Sequence, residues 1–171
     1  MRLIQNASNY DHKAFSWCQQ RRHKGLLIFL ARYISRTADG HAYFLIGCCA
    51  YLQNQMDFLK LGMLCFLVER ITYYLIKKNI KRHRPPDAIP GFNSIIQASD
   101  KFSFPSGHTS AAFLMATMMA LFSPWTACLF FPWAISVAVS RVLLGVHFPG
   151  DTLAGSIMGS AITLLCFAVL F

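Results

Sequence analysis

From residue 40 to the last residue the chain consists largely of five apolar stretches, at roughly 40–55, 57–77, 106–122, 125–144 and 151–171. A helix needs about 20 apolar residues to cross a bilayer core, with a lower limit near 17. The first stretch, GHAYFLIGCCAYLQNQ, is short by that measure, and the others meet it. Pro124, between Ser123 and Trp125, marks a tight connection between the third and fourth. Hydrophobic residues make up 55% of the chain and charged residues 13%, about half the charged share of a soluble protein. Too little polar surface is left to cover a soluble globule. The expected fold is all-α: a polytopic membrane bundle of about five transmembrane helices.

Ahead of the bundle, Phe15 and Trp17 are set among His12, Lys13, Arg21, Arg22 and Lys24. Residues 25–36 (GLLIFLARYISR) are more apolar but carry Arg32 and Arg36. This reads as an amphipathic helix at the bilayer surface, its Arg side chains snorkelling to the head groups. No apolar h-region follows the first charges, so no cleavable signal peptide is expected. The chain is read as one domain, a basic interfacial segment over 1–39 followed by a transmembrane core over 40–171. Its net charge of +9 lies beside apolar spans, without the interleaved aromatics of a nucleic-acid surface. Anionic lipids, not nucleic acid, are the expected partners. The six cysteines form no CxxC pair and lie mostly inside apolar runs. They suggest neither a zinc site nor a disulfide framework.

Three polar groups stand at the ends of predicted spans. Lys77 with Arg84-Pro85 closes the second span, and Pro105-Ser106-Gly107-His108 opens the third. Ser140-Arg141, His147 and Asp151 join the fourth to the fifth. If successive spans are antiparallel, connectivity alone brings all three groups to one side of the membrane. One long polar loop, about 78–105, lies on that side and contains Pro85, Pro86, Pro90 and Gly91. A loop of that length in so short a chain needs a purpose.

Lys77, Arg84 and Arg141 supply cations, and guanidinium geometry suits phosphate oxygens. Ser106 and Gly107 are helix-start residues, and free amides at a helix start favour an anion. His147 and Asp151 are four apart, so on a helical turn the carboxylate orients the imidazole and raises the basicity of its other nitrogen. Together these are an anion cradle, one oriented nucleophile and a second histidine. No metal and no cofactor is called for: there is no carboxylate cluster for Mg²⁺ and no Cys/His zinc spacing.

The same residues resemble the type 2 phosphatidic acid phosphatase superfamily, whose signature is K-x6-RP, then PSGH, then SR-x5-H-x3-D. Here these read KKNIKRHRP over 77–85, PSGH over 105–108 and SRVLLGVHFPGD over 140–151. The resemblance implies that His147 attacks phosphorus with Asp151 orienting it. It implies that His108 protonates the leaving alkoxide and later activates water. Lys77, Arg84, Ser106, the Gly107 amide and Arg141 would hold the phosphate oxygens. Against the six spans usual in the family, this sequence shows about five.

The implied function is hydrolysis of a lipid phosphomonoester or diphosphate in a multi-pass protein of the plasma (inner) membrane. Phosphatidylglycerophosphate, phosphatidic acid, polyprenyl (di)phosphate and lipid A type substrates stay open, as does oligomeric state. The alternatives are a lipid-phosphate-binding protein without turnover and chemistry like that of vanadate-dependent haloperoxidases. His12, His23, His41 and His83 read as structural. Lys78, Lys81 and Arg82 read as interfacial anchors, with Arg82 an optional head-group ligand. Glu69 and Arg70 inside the second span should face protein or water, and Glu69 is a candidate support for Lys77. Gly155 and Gly159 read as helix packing. With five crossings, 14 of the 16 Lys and Arg share the site side, leaving Lys60 and Arg70 opposite. The positive-inside rule then places the site in the cytoplasm.

Overall fold

The computed structural model describes residues 2–20, 25–98 and 100–171, with residues 2–9 described as backbone only. Arg21, Arg22, His23 and Lys24 lie outside the described residues, as does the side chain of Arg2. Among the described residues eight helices follow one another: α1 Arg2–Gln19, α2 Gly25–Thr37, α3 Gly40–Leu52, α4 Met56–Ile80, α5 Pro85–Ala88, α6 Gly107–Phe122, α7 Ala127–Leu143 and α8 Pro149–Leu170. A 3₁₀ turn at Pro124–Thr126 leads into α7. The described residues contain no strand, so the expected all-α class holds.

The bundle is built around α6. Thr109 to Ala112, and Leu114 to Met118, are buried with almost no interruption, as befits a helix enclosed on all sides. α4, α7 and α8 pack on it. Gly155 and Gly159 explain how closely α8 approaches. A Cβ on Gly155 would stand 2.6 Å from the Ser106 carbonyl oxygen, and one on Gly159 would collide with the Ser110 carbonyl. The outer surface is apolar in turn: Met63, Leu67 and Ile71 of α4, Leu129 of α7, and Leu153, Ile157 and Leu165 of α8 are all exposed. A soluble monomer does not carry so extensive an apolar face. The stretches Pro124–Leu143 and Pro149–Leu170 are long and apolar enough to cross a bilayer.

The N-terminal third differs from the hydropathy reading in one respect. Small residues Ala31, Ser35 and Ala38 form a seam that lays α2 lengthwise along α7. Ala31 packs with Leu143 and Leu144, and Ala38 packs with Ala134 and Val137. α3 carries on in the same direction, its Ala50 reaching Phe58 and Cys166 at the far ends of α4 and α8. Residues 25–52 therefore run along the bundle as two helices broken at Ala38-Asp39. Arg32 and Arg36, which lower the hydropathy of this segment, stay exposed on a neighbouring face.

Candidate active site

Proline chemistry aims Arg84. A residue before proline is pushed out of the α region, and Arg84 is extended at φ −75°, ψ 160°. Pro85 then starts α5, as proline favours the first helical turn. The freed guanidinium reaches the α7–α8 loop. Its Nη1 donates to the Val146 carbonyl at 2.7 Å and lies 3.4 Å from His147 Nε2. Gly145, at φ 77°, turns that loop, and a Cβ there would meet the Phe92 ring at 2.8 Å.

α8 starts in the same manner. Phe148 is the extended N-cap, Pro149 opens the helix, and Asp151 in its first turn reaches back. The Phe148 N–H donates to Asp151 Oδ2 at 2.8 Å, a capping arrangement that fixes the carboxylate. His147 Nδ1 lies 3.6 Å from the same oxygen, an electrostatic contact rather than a formed hydrogen bond. This imidazole is buried. Burial pushes its pKa down to about 4; the Asp151 carboxylate pulls the other way, and Arg141 and Arg84 add to the fall. His147 is therefore neutral at pH 7.

The PSGH segment docks on this turn through the Ser106 N–H, which donates to the Asp151 carbonyl at 3.0 Å. Ser106 is the N-cap of α6 as expected, but its hydroxyl makes no capping bond and instead accepts one from Thr109 at 3.0 Å. Gly107 faces Tyr73, whose ring would lie 3.0 Å from a Cβ there, with Arg70 at 3.5 Å. Arg70 thus extends to the site and leaves Lys60, among the described residues, as the cation on the opposite side. Arg141 is buried; its Nη1 donates to Ser35 of α2 at 2.7 Å, and its Nε has no partner among the described residues.

The residue that sequence reasoning missed is Asp100. Its Oδ2 accepts from Lys77 Nζ at 2.6 Å and from the Tyr73 hydroxyl at 2.7 Å. Its Oδ1 accepts from Arg84. Burial works to raise this carboxyl, but hydrogen bonds from Lys77, Arg84 and Tyr73 hold it down at about 2. The long loop thus delivers an anion to two of the cradle cations. Asp87 and Asp100, the two acids among the loop's cations, were the available signal.

Two sequence expectations change. Glu69 pairs with its neighbour Arg70 at 2.7 Å rather than with Lys77. Arg82 is no head-group ligand: it stands behind the site, donating to Asp151 Oδ1 at 2.8 Å and to Asp11 Oδ2 of α1 at 2.5 Å. Asp11 also accepts from the Gly150 N–H at 2.7 Å.

All eight residues singled out from the sequence, Lys77, Arg84, Ser106, Gly107, His108, Arg141, His147 and Asp151, lie at one end of the bundle. A cavity of about 670 Å³ opens from that end between α3, α4 and α6. Asp39, Arg70, Tyr73, Asp100 and His108 line its polar end, and Phe58, Met63, Phe66, Met115 and Met118 line the remainder. The far side of Arg84 and Asp100 faces a smaller, polar hollow of about 280 Å³ lined by Asp87, Gln97 and Lys101. The arrangement can hold a multiply charged anion beside a neutral imidazole while an apolar body extends into the bundle.

Known proteins share this build. The crystal structure of Aquifex aeolicus LpxE superposes with a TM-score of 0.83 at 22% identity, over 91% of this chain and 93% of that one. At that identity the likeness speaks for the fold. Decaprenylphosphoryl-5-phosphoribose phosphatase of Mycobacterium tuberculosis is 33% identical over 122 residues, 69% of this chain and 64% of that protein. Undecaprenyl-diphosphatase of Sulfolobus acidocaldarius is 30% identical over 145 residues, 82% of this chain and 68% of that protein. The chain spans about half to two thirds of the length of the first curated relatives it matches. Residues 58–171, which include every signature position, match the PAP2 superfamily, and with that match the chain belongs to the PAP2 superfamily.

Proposed function

We propose that this protein is a membrane lipid phosphatase that hydrolyses a phosphomonoester or diphosphate through a phosphohistidine at His147. The observation that carries this reading is the buried His147, its Nε2 beside the Arg84 guanidinium and its Nδ1 toward Asp151. A phosphoryl group held by Arg84, Arg141, Lys77, Ser106 and the Gly107 amide would present phosphorus to Nε2. Attack there forms the P–N bond as the bond to the leaving oxygen breaks. His108 gives that oxygen a proton. It then takes one from water, whose oxygen displaces His147 and releases phosphate. Asp151 stabilises the charge that His147 acquires. Asp100 bonds Lys77 and Arg84, so an incoming phosphate competes with this carboxylate for both cations.

A carrier with a hydrocarbon tail is supported by the cavity, which reaches the site at Gly107 and His108 and is otherwise lined largely by apolar side chains. The named activities of the relatives, on decaprenyl and undecaprenyl carriers, support a polyprenyl substrate alongside a glycerophospholipid or lipid A type one. The protein acts as a single domain of a multi-pass plasma-membrane protein. Its site faces the cytoplasm, because the long loop on the site side carries Lys78, Lys81, Arg82, Arg84 and Lys101 and the positive-inside rule counts loop cations. Catalysis is metal-independent because the cradle is cationic and repels a divalent ion.

The test is phosphate release by purified protein from a panel of lipid phosphates in excess EDTA, with an acid quench. Turnover with acid-labile, base-stable phosphate on His147 is expected. Loss of activity in EDTA with rescue by a divalent ion, or trapping on another residue, would overturn the mechanism. Binding of the panel without turnover would favour the non-catalytic reading.

A further inference from the structure

We propose that Asp39 is a positioning residue for His108, holding the imidazole so that one nitrogen is left to exchange the proton with the leaving group and then with water. This rests on the phosphatase reading and extends it to a residue outside the family match, which begins at residue 58.

Asp39 Oδ1 lies 3.0 Å from His108 Nε2. Among the described residues this is the one hydrogen bond of that imidazole. Asp39 stands at the N-cap of α3, where an aspartate ordinarily turns its carboxylate onto the helix amides. Here it makes no side-chain capping bond. The carboxylate faces the cavity and the histidine instead. Its side chain is 46% exposed, and an ion pair of such exposure elsewhere would be worth little. The backbone beneath it, however, is fixed. Ala38 is buried against Ala112 and Ala116 of α6, and Ser35 is bonded to the buried Arg141. The break between α2 and α3 thus sets the carboxylate against the second residue of α6.

The consequence is a defined proton path. With both nitrogens protonated, Nε2–H stays on Asp39 and Nδ1–H points away from it. As the bond from phosphorus to the leaving oxygen breaks, the Nδ1 proton passes to that oxygen, leaving a neutral imidazole whose Nε2–H remains on Asp39. Nδ1 now carries the lone pair that accepts a proton from the water attacking the phosphohistidine, and the original protonation is restored. Asp39 exchanges no proton; it selects the tautomer and favours the charged form. His147 with Asp151 and His108 with Asp39 then form two carboxylate–imidazole pairs, one for each partner of the transferred phosphoryl group.

The experiment compares dodecyl phosphate, which leaves as a poor alkoxide, with p-nitrophenyl phosphate, which leaves as an acidic phenol, in detergent micelles. Wild type, Asp39→Asn, Asp39→Glu, His108→Ala and the His108→Ala/Asp39→Asn double variant are measured. Asp39→Asn is expected to lower kcat about 30-fold on dodecyl phosphate and no more than about 3-fold on p-nitrophenyl phosphate, because proton donation matters less to a good leaving group. KM should hold, and Asp39→Glu should recover most of the loss. In the His108→Ala background, Asp39→Asn should add nothing. Equal losses on both substrates, no loss on either, or a further loss without His108 would overturn the assignment while the phosphatase reading stands. A wild type inert on every lipid phosphate would remove the phosphatase reading and the proposal with it.

Discussion

The molecule divides at about residue 55 into regions that contribute to the same site in different ways. From Lys77 to Asp151 the chain carries the whole signature. The first two helices and the α2–α3 break carry none of it, yet they touch it at three points. Asp11 holds Arg82 and the Gly150 amide behind Asp151, Ser35 holds Arg141, and Asp39 meets His108. On the proposed mechanism, one region supplies the reacting groups and the other restrains them. A site can therefore be complete in its motif and still owe its geometry to a segment with no motif at all. Losing a reacting group should abolish turnover; losing a restraint should only degrade it.

The largest expected effect lies in the signature region. His147→Ala should lower phosphate release by at least about 10⁴-fold and leave no trappable phosphoenzyme, since nothing else there can form the intermediate. Asp151→Asn should follow at about 10³-fold, with the melting temperature close to wild type, because an amide favours the wrong imidazole tautomer. Asp11→Asn comes next, at about 10-fold in kcat by loss of a charge-assisted bond. Combined with Arg82→Ala it should be far less than additive, because the two side chains act as one unit. If Asp11→Asn matched Asp151→Asn, the division between reacting and restraining regions would collapse.

Ser35→Ala should raise KM about 3-fold and spare kcat, since Arg141 keeps its charge and loses one neutral partner. The smallest effect is one of pH. With the His147 pKa pushed down to about 4, kcat/KM should show no acid limb from this group between pH 5 and 7 and should fall only as pH approaches 4. Fold stability behaves differently. The unfolded chain binds a proton on this histidine near pH 6.5, and the folded chain does so only near 4. The unfolded state thus binds more protons within that window, so stability should decline as pH drops through it and level off above it. An activity limb centred near 6.5 and assigned to His147 would contradict its burial.

Five apolar stretches and three motif segments could be read from the chain because each is a local pattern with a fixed physical period or spacing. α4, α6, α7 and α8 appear close to where hydropathy puts them, and Pro85, Pro105 and Pro149 mark the turns that aim the signature residues. The restraints could not be read in that way. Asp39 and His108 are 69 residues apart, Ser35 and Arg141 are 106 apart, and Asp11 and Gly150 are 139 apart; no local rule links such pairs. Asp100 escaped because an acid in an irregular loop that also holds Asp87 has no periodicity to single it out, although three nearby cations in a low-dielectric setting ask for a counter-charge. The packing of α2 along α7 was illegible for a different reason: hydropathy weighs Arg32 and Arg36, which stay exposed, and ignores the spacing of Ala31, Ser35 and Ala38, which lets two helix backbones approach.

The glycine seam between α6 and α8 bears on how variants of this protein would be interpreted. Gly159 lies two turns of helix from Asp151, remote from any reacting atom. A single methyl there would nonetheless drive α8 away from the Ser110 carbonyl. Because the Ser106 amide hangs on the Asp151 carbonyl, that displacement would travel along the helix pair and open the gap between PSGH and His147. In a mutational screen such an allele would be scored among the chemical defects, though it removes no functional group. Suppressors of it would arise as smaller side chains across the seam, and heating would worsen it before any unfolding became visible.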